Sequence, residues 1–153
     1  MDYQISPVTV NIIKLTSTAK MPVYHHDGDS GCDVFSDQED TRMLPGEISL
    51  ISTGLCFDIP TGFEIQVRSK SGLTLQGLVV PNSPGTVDSS YQGELKVILM
   101  NVSGELKFII KGQKIAQLVL GKVERMKLIN SLEFGDKPET GRNISGFGST
   151  GMW

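Results

Sequence analysis

An all-β domain, a sandwich or barrel with at most one short helix, is the fold class this sequence predicts. Three observations predict it. Short β-branched or alternating segments recur along the chain, Gly- and Pro-containing turns divide them at short intervals, and only residues 71–76 leave room for a helix. The 153 residues are one domain's length. A domain of that size buries roughly 68–70% of its unfolded-chain surface, so its core needs no staple.

The elements follow in order. Val8-Thr9-Val10-Asn11-Ile12-Ile13 is short and β-branched, and predicts the first strand. Residues 48–52 and 55–59 predict two strands parted by Thr53-Gly54. Phe63-Glu64-Ile65-Gln66-Val67-Arg68 alternates with period two, the mark of a half-buried strand. Residues 95–100, 106–110 and 115–123 predict three more strands, separated by Val102-Ser103-Gly104-Glu105 and Lys111-Gly112. A single β domain is expected over residues 1–132, then a polar Gly/Pro linker over 133–141 and a flexible Gly-rich tail over 142–153.

Composition narrows the function classes. The net charge is −3, from 14 basic and 17 acidic residues, and no basic stripe is visible, so direct nucleic-acid binding is not expected. No apolar run reaches membrane-spanning length, and residues 1–4 carry neither the basic nor the apolar region of a secretory leader. Two cysteines make no disulfide framework. A reduced, intracellular and cytoplasmic location is therefore expected, the host cytoplasm if the source is viral. Glycine is in surplus, with 17 residues, which implies tight turns or backbone brought close to a ligand.

Several motif-like stretches fail on context. Gly146-x-Gly148-x-x-Gly151 has the dinucleotide spacing but no helix-length segment after it. Gly72 and Gly77 have Walker A spacing, but Leu78 stands where lysine is required. His25-His26-Asp27-Gly28-Asp29 reads as an exposed polar loop rather than a metal site, because neighbours on an extended chain point to opposite sides. Cys32 and Cys56 have no CxxC partner and read as small buried apolar residues.

Five loop-like segments rich in hydroxyl, amide, acid or glycine remain. They are Asp29-Ser30-Gly31-Cys32-Asp33, residues 68–73, residues 82–93, residues 112–118 and residues 142–151. Taken singly, each also reads as an ordinary turn. In this order and spacing the set resembles the five motifs of the homotrimeric dUTPase family over nearly the whole chain. The most specific parts are Asn82-Ser83-Pro84-Gly85-Thr86-Val87-Asp88, Tyr91-x-Gly93-Glu94, and Arg142 with Gly146-Phe147-Gly148-Ser149-Thr150-Gly151.

The resemblance implies a distorted jelly-roll-like homotrimer with active sites shared between chains. It implies hydrolysis of dUTP to dUMP and pyrophosphate, limiting uracil in DNA and supplying dUMP for dTMP synthesis. Mg²⁺ is implied as cofactor, held through the triphosphate rather than directly, with Asp33 placed structurally or in its second shell. Asp88 matches the general base that activates the attacking water. Tyr91 matches the residue against the deoxyribose, and Asn82 with Gly85, Thr86 and Val87 matches the uracil-reading hairpin. Arg68, Lys70, Ser71, Gly72, Lys96 and Gln117 match further substrate-contacting positions. Arg142, Phe147, Gly148, Ser149 and Thr150 match a lid over uracil and terminal phosphates, lent by a neighbouring chain.

Departures bear on two motifs. Lys70 stands where the family usually has Arg, keeping charge but losing the bidentate fork, so either Arg68 or Lys70 is the phosphate contact. Asn143 and Ser145 replace two tail glycines, while Ser30 and Cys32 replace the usual first-motif residues. The competing readings are a dCTP deaminase-like enzyme of the same fold and a regulatory nucleotide-sensing binding protein. The first would need a separate acid or base at the pyrimidine ring, and the second would act through a protein partner.

Overall fold

The computed structural model describes residues 7–132 and Gly135; the rest of the expected linker and the lid residues Arg142, Phe147, Gly148, Ser149 and Thr150 lie outside the described residues. Ten strands and one short helix occur in the described chain. In order they are β1 (Asn11–Lys14), β2 (Cys32–Phe35), β3 (Thr41–Met43), β4 (Ile48–Asp58), β5 (Phe63–Arg68), α1 (Ser71–Thr74), β6 (Leu78–Val79), β7 (Gly85–Asp88), β8 (Glu94–Asn101), β9 (Lys107–Ile109) and β10 (Lys114–Lys122). They form antiparallel sheets β1-β4-β8-β6 and β2-β10-β5-β7, with a separate β3-β9 ribbon. The all-β class is as the sequence predicts, and α1 falls inside the one stretch expected to be helical.

The core follows from alternation. Leu95, Val97 and Leu99 of β8, Ile65 and Val67 of β5 and Val87 of β7 are buried, together with Met43, Ile51, Leu55, Ile109 and Ile115. Each buried apolar side chain contributes about 1.5–3 kcal/mol relative to exposure. The same period of two that turns Val87 inward turns Thr86 and Asp88 to the surface.

Two differences from the sequence expectation have clear physical causes. Residues 48–52 and 55–59 belong largely to one strand, β4, because Gly54 does not end it. Gly54 adopts φ +67, and the β4–β8 register shifts between Ser52 and Cys56, the signature of a bulge. Thr53 Oγ1 donates to the Leu95 carbonyl at 2.6 Å and the Gly54 N–H donates to Glu94 Oε1 at 2.9 Å, so the kink is hydrogen-bonded throughout. Secondly, residues 82–93 are not one long turn, since Gly85–Asp88 pairs with β5 as a strand. β2, β3 and β6 also lie where no strand was expected; each is at most four residues long and is completed by its partner.

Candidate active site

Strand β5 carries the geometry on which the candidate site depends. Its Arg68 pairs with Gln117 of β10, and Gln117 in turn pairs with Asp33 of β2. Directly paired residues face the same side, so three sequence-distant polar residues form one row. At the other end of β5, Glu64 pairs with Asp88. Glu64 and Arg68 are four positions apart, about 14 Å at the usual rise of about 3.4 Å per residue.

Two separate clefts result. The first is lined by Thr86, Val87, Asp88, Tyr91 and Lys96, with Leu50, Glu94, Leu95 and Ile98. The second, of about 440 Å³, is lined by Arg68, Lys70, Gln117 and Asp33, with His25, Lys114 and neighbouring loop residues. They share no residue.

In the first cleft, Asp88 is exposed at the end of β7. Tyr91 follows it in a tight turn, its N–H donating to the Asp88 carbonyl at 3.0 Å. The Tyr91 hydroxyl donates to the Glu94 carbonyl at 2.9 Å, which draws the ring over Gly93. A Cβ at Gly93 would stand 2.6 Å from that hydroxyl, so glycine here clears the space the ring occupies. Lys96 sits beside them, its Nζ 3.5 Å from Glu94 Oε2. Asn82 lies at the start of the hairpin rather than on the cleft wall, and its amide comes within 2.8 Å of a Cβ placed on Gly85. Gly85 thus lets Asn82 fold back onto the strand.

The second cleft is organised by a carboxylate. Asp33, 5% exposed, receives Lys70 Nζ on Oδ1 at 2.7 Å. Its Oδ2 faces Lys114 Nζ and His25 Nε2, both at 3.0 Å. Burial pushes the Asp33 carboxyl up, but hydrogen bonds and charge from Lys70 and Lys114 outweigh it and hold the carboxyl below its ordinary value of 3.8. Such a group stabilises the fold above its unfolded-state value, and that contribution disappears as pH falls through the lower folded-state value. Below about pH 4, the wild type is therefore expected to lose stability more steeply than Asp33→Asn. Urea titrations at successive pH values read the difference; coincident slopes would remove Asp33 from this role.

Around that carboxylate the backbone is pinned. Gln117 Nε2 donates to the Ser69 carbonyl at 3.0 Å, and the Ser69 N–H donates to Ser83 Oγ at 3.2 Å. Arg68 reaches Gln66 Oε1 through Nη2 at 2.6 Å and Nε at 3.2 Å. Ser71 and Gly72 open α1, exposed, where first-turn N–H groups have no intrahelical acceptor. A Cβ on Gly72 would meet nothing within 4 Å, so this chain's own packing does not require glycine there.

Lys114 and His25 are members of the cleft that sequence reasoning did not identify. Nothing local marks a lysine entering a strand, and His25 read as part of an exposed loop. That loop is drawn in because Asp29 Oδ2 accepts the N–H groups of His25 and His26 at 3.1 and 2.9 Å, which engages Asp29 locally.

Among the described residues no group of three or more His, Cys, Asp or Glu side chains is placed to hold a metal ion. With Asp33 paired to lysines, a divalent ion here would have to bring its own oxygen ligands, as one chelated by a triphosphate does. Among the described residues no helix is long and apolar enough to cross a membrane.

Comparison with known proteins adds to this geometry. The family model described as dUTPase matches residues 17–151. The deoxyuridine 5'-triphosphate nucleotidohydrolase of Chlamydia muridarum is 48% identical over 141 residues, covering 90% of this chain and 95% of its own. That of Hydrogenobaculum sp. is 43% identical over 140 residues, covering 91% and 95%. Among solved structures, a point mutant of the Staphylococcus bacteriophage 80alpha dUTPase with dUpNHpp has TM-score 0.83 at 27% identity, covering 94% of this chain and 98% of that one. A mutant dUTPase from phage phi11 of S. aureus, with a structural Mg(II) ion, has TM-score 0.76 at 27% identity, covering 84% and 100%.

Proposed function

The chain belongs to the dUTPase family, and from that premise we propose that it hydrolyses dUTP to dUMP and pyrophosphate at sites shared between copies of itself. The observation that carries the shared-site reading is the separation of the two clefts. Attack on a phosphorus needs base, water and phosphate-binding groups together. In one chain the Asp88 hairpin and the Arg68–Lys70–Gln117 cluster stand at opposite ends of β5. A trimer, in which one copy's hairpin faces another's cationic cleft, brings them together. Exposed apolar side chains support such contacts: Leu50 lines the Asp88 cleft, and Met126, Leu128, Ile129 and Leu132 follow β10.

In this reading Asp88 takes a proton from water, whose oxygen attacks the α-phosphorus. The bond to the bridging oxygen breaks, and pyrophosphate leaves. Tyr91 packs on the deoxyribose, and the hairpin from Asn82 to Val87 reads uracil. Ser71 and Gly72 offer free amides to phosphate, joined by Lys70 or Arg68, Gln117 and, near the hairpin, Lys96. Mg²⁺ bound to the triphosphate would neutralise charge on the phosphate oxygens. Asp33 acts structurally, and residues 142–153 serve as the covering segment. A cytoplasmic role in limiting dUTP and supplying dUMP fits that chemistry.

One assay tests the reading. The protein is incubated with each deoxynucleoside triphosphate and Mg²⁺, and pyrophosphate and ammonia are measured. Pyrophosphate from dUTP alone is expected; ammonia from dCTP, or no pyrophosphate from dUTP, would overturn the assignment.

Gly72 offers a sharper check. Alanine fits its space and favours helix by about 0.5–1 kcal/mol, so Gly72→Ala is expected to unfold at the same or higher temperature. Its kcat/KM for dUTP is nevertheless expected to fall about tenfold or more, because the methyl would stand where phosphate approaches the amides. Unchanged kcat/KM would show that no phosphate comes close there.

A further inference from the structure

We propose that Lys114 is a positioning residue for triphosphate binding: it keeps the Asp33 carboxylate paired while Lys70 turns from Asp33 to the substrate's phosphates. This rests on the reading that Lys70 is a phosphate ligand, and it identifies what makes that contact available.

The Asp33 side chain is only 6% exposed and is bound by Lys70 at 2.7 Å on one oxygen. If that were its only cation, moving Lys70 onto a phosphate would leave a buried, unpaired carboxylate, and the penalty would be subtracted from binding. Lys114 Nζ, 3.0 Å from the other oxygen, is a second cation that does not have to leave. Lys114 is itself held by His25, whose Nε2 lies 2.7 Å away and accepts an N–H of Lys114 in the neutral tautomer protonated on Nδ1. Apart from its bond to Asp33, Lys70 is held through its backbone. Its carbonyl accepts the Leu73 and Thr74 N–H groups at 3.0 Å, and Gln117 holds the adjacent Ser69 carbonyl. Its Nζ, on a flexible stem with a third of the side chain exposed, is the part free to turn. Arg68, by contrast, is engaged twice with Gln66. Three cationic or imidazole groups from separate segments thus converge on one acid.

The test compares two ligands on the assembled full-length protein: dUpNHpp, which carries the triphosphate, and dUMP, which lacks the terminal phosphates. Lys114→Met is expected to weaken dUpNHpp binding and raise KM for dUTP by about tenfold, with kcat nearly unchanged and dUMP affinity within about twofold. Lys114→Arg is expected to restore wild-type affinity. In a Lys70→Met background, Lys114→Met is expected to add nothing. Equal weakening of both ligands, failure of the arginine variant, or additive losses would overturn the inference. Lys70→Met by itself separates the two levels. If it leaves dUpNHpp binding intact, the underlying assignment of Lys70 fails; if it weakens binding but Lys114→Met does not, only the positioning role fails. Should Lys114→Met not fold, His25→Ala removes the acceptor of Lys114 and should weaken dUpNHpp but not dUMP by about threefold, and no such difference would overturn the role.

Discussion

Asp88→Asn is expected to lower kcat for dUTP by about 10²–10⁴-fold, the usual weight of a positioned general base. The amide has the shape of the carboxylate but cannot take the proton from water. Asp88 is exposed at the end of β7, beyond the buried Val87, so the change leaves the core and the pairing with β5 untouched. Affinity for dUpNHpp is expected to stay within about twofold, since a base that acts on water contributes little to ground-state binding. Single-turnover rates and analogue titration read the two quantities separately. A variant with near-normal kcat would remove Asp88 from the chemistry, and one that binds neither analogue nor product would make Asp88 a binding residue instead.

The second large effect concerns sugar selection. Gly93→Ala would put a methyl 2.6 Å from the Tyr91 hydroxyl and 2.7 Å from the ring carbon that bears it. The ring end is the movable party, so the protein should fold while the ring swings away and its bond to the Glu94 carbonyl is lost. If Tyr91 is the wall against a 2′-hydroxyl, the preference for dUTP over UTP should fall by about 10–100-fold, the range available to steric discrimination in a pocket. The ratio of kcat/KM values for the two nucleotides is the measurement. An unchanged ratio with a displaced ring would assign sugar selection elsewhere.

Legibility in the sequence varied with how local the determining interaction is. The alternation of β5 and β8 is visible because each residue's environment repeats every second position. Gly54 is ambiguous in sequence because glycine both ends strands and bulges them, and the choice lies with Thr53 and Glu94, which bond across to β8 and β4. The short strands β2 and β7 fall in segments that read as loops, because a strand of four residues has too few positions to show a period.

The site divides in the same way. Residue types, their order and their spacing are properties of the sequence, and through their resemblance to the dUTPase motifs they single out Asp88, Tyr91, Lys70 and Gln117. The sequence by itself thus determined an all-β chain bearing a particular set of chemical groups. Only the tertiary structure decided that Asp88 of β7 pairs at the end of β5 opposite Arg68, and that Lys70, Lys114 and His25 meet on Asp33. The reason is strand register. A slip of one residue leaves composition and local pattern unchanged, yet it turns every side chain to the other face and dissolves the row that joins Asp33, Gln117 and Arg68.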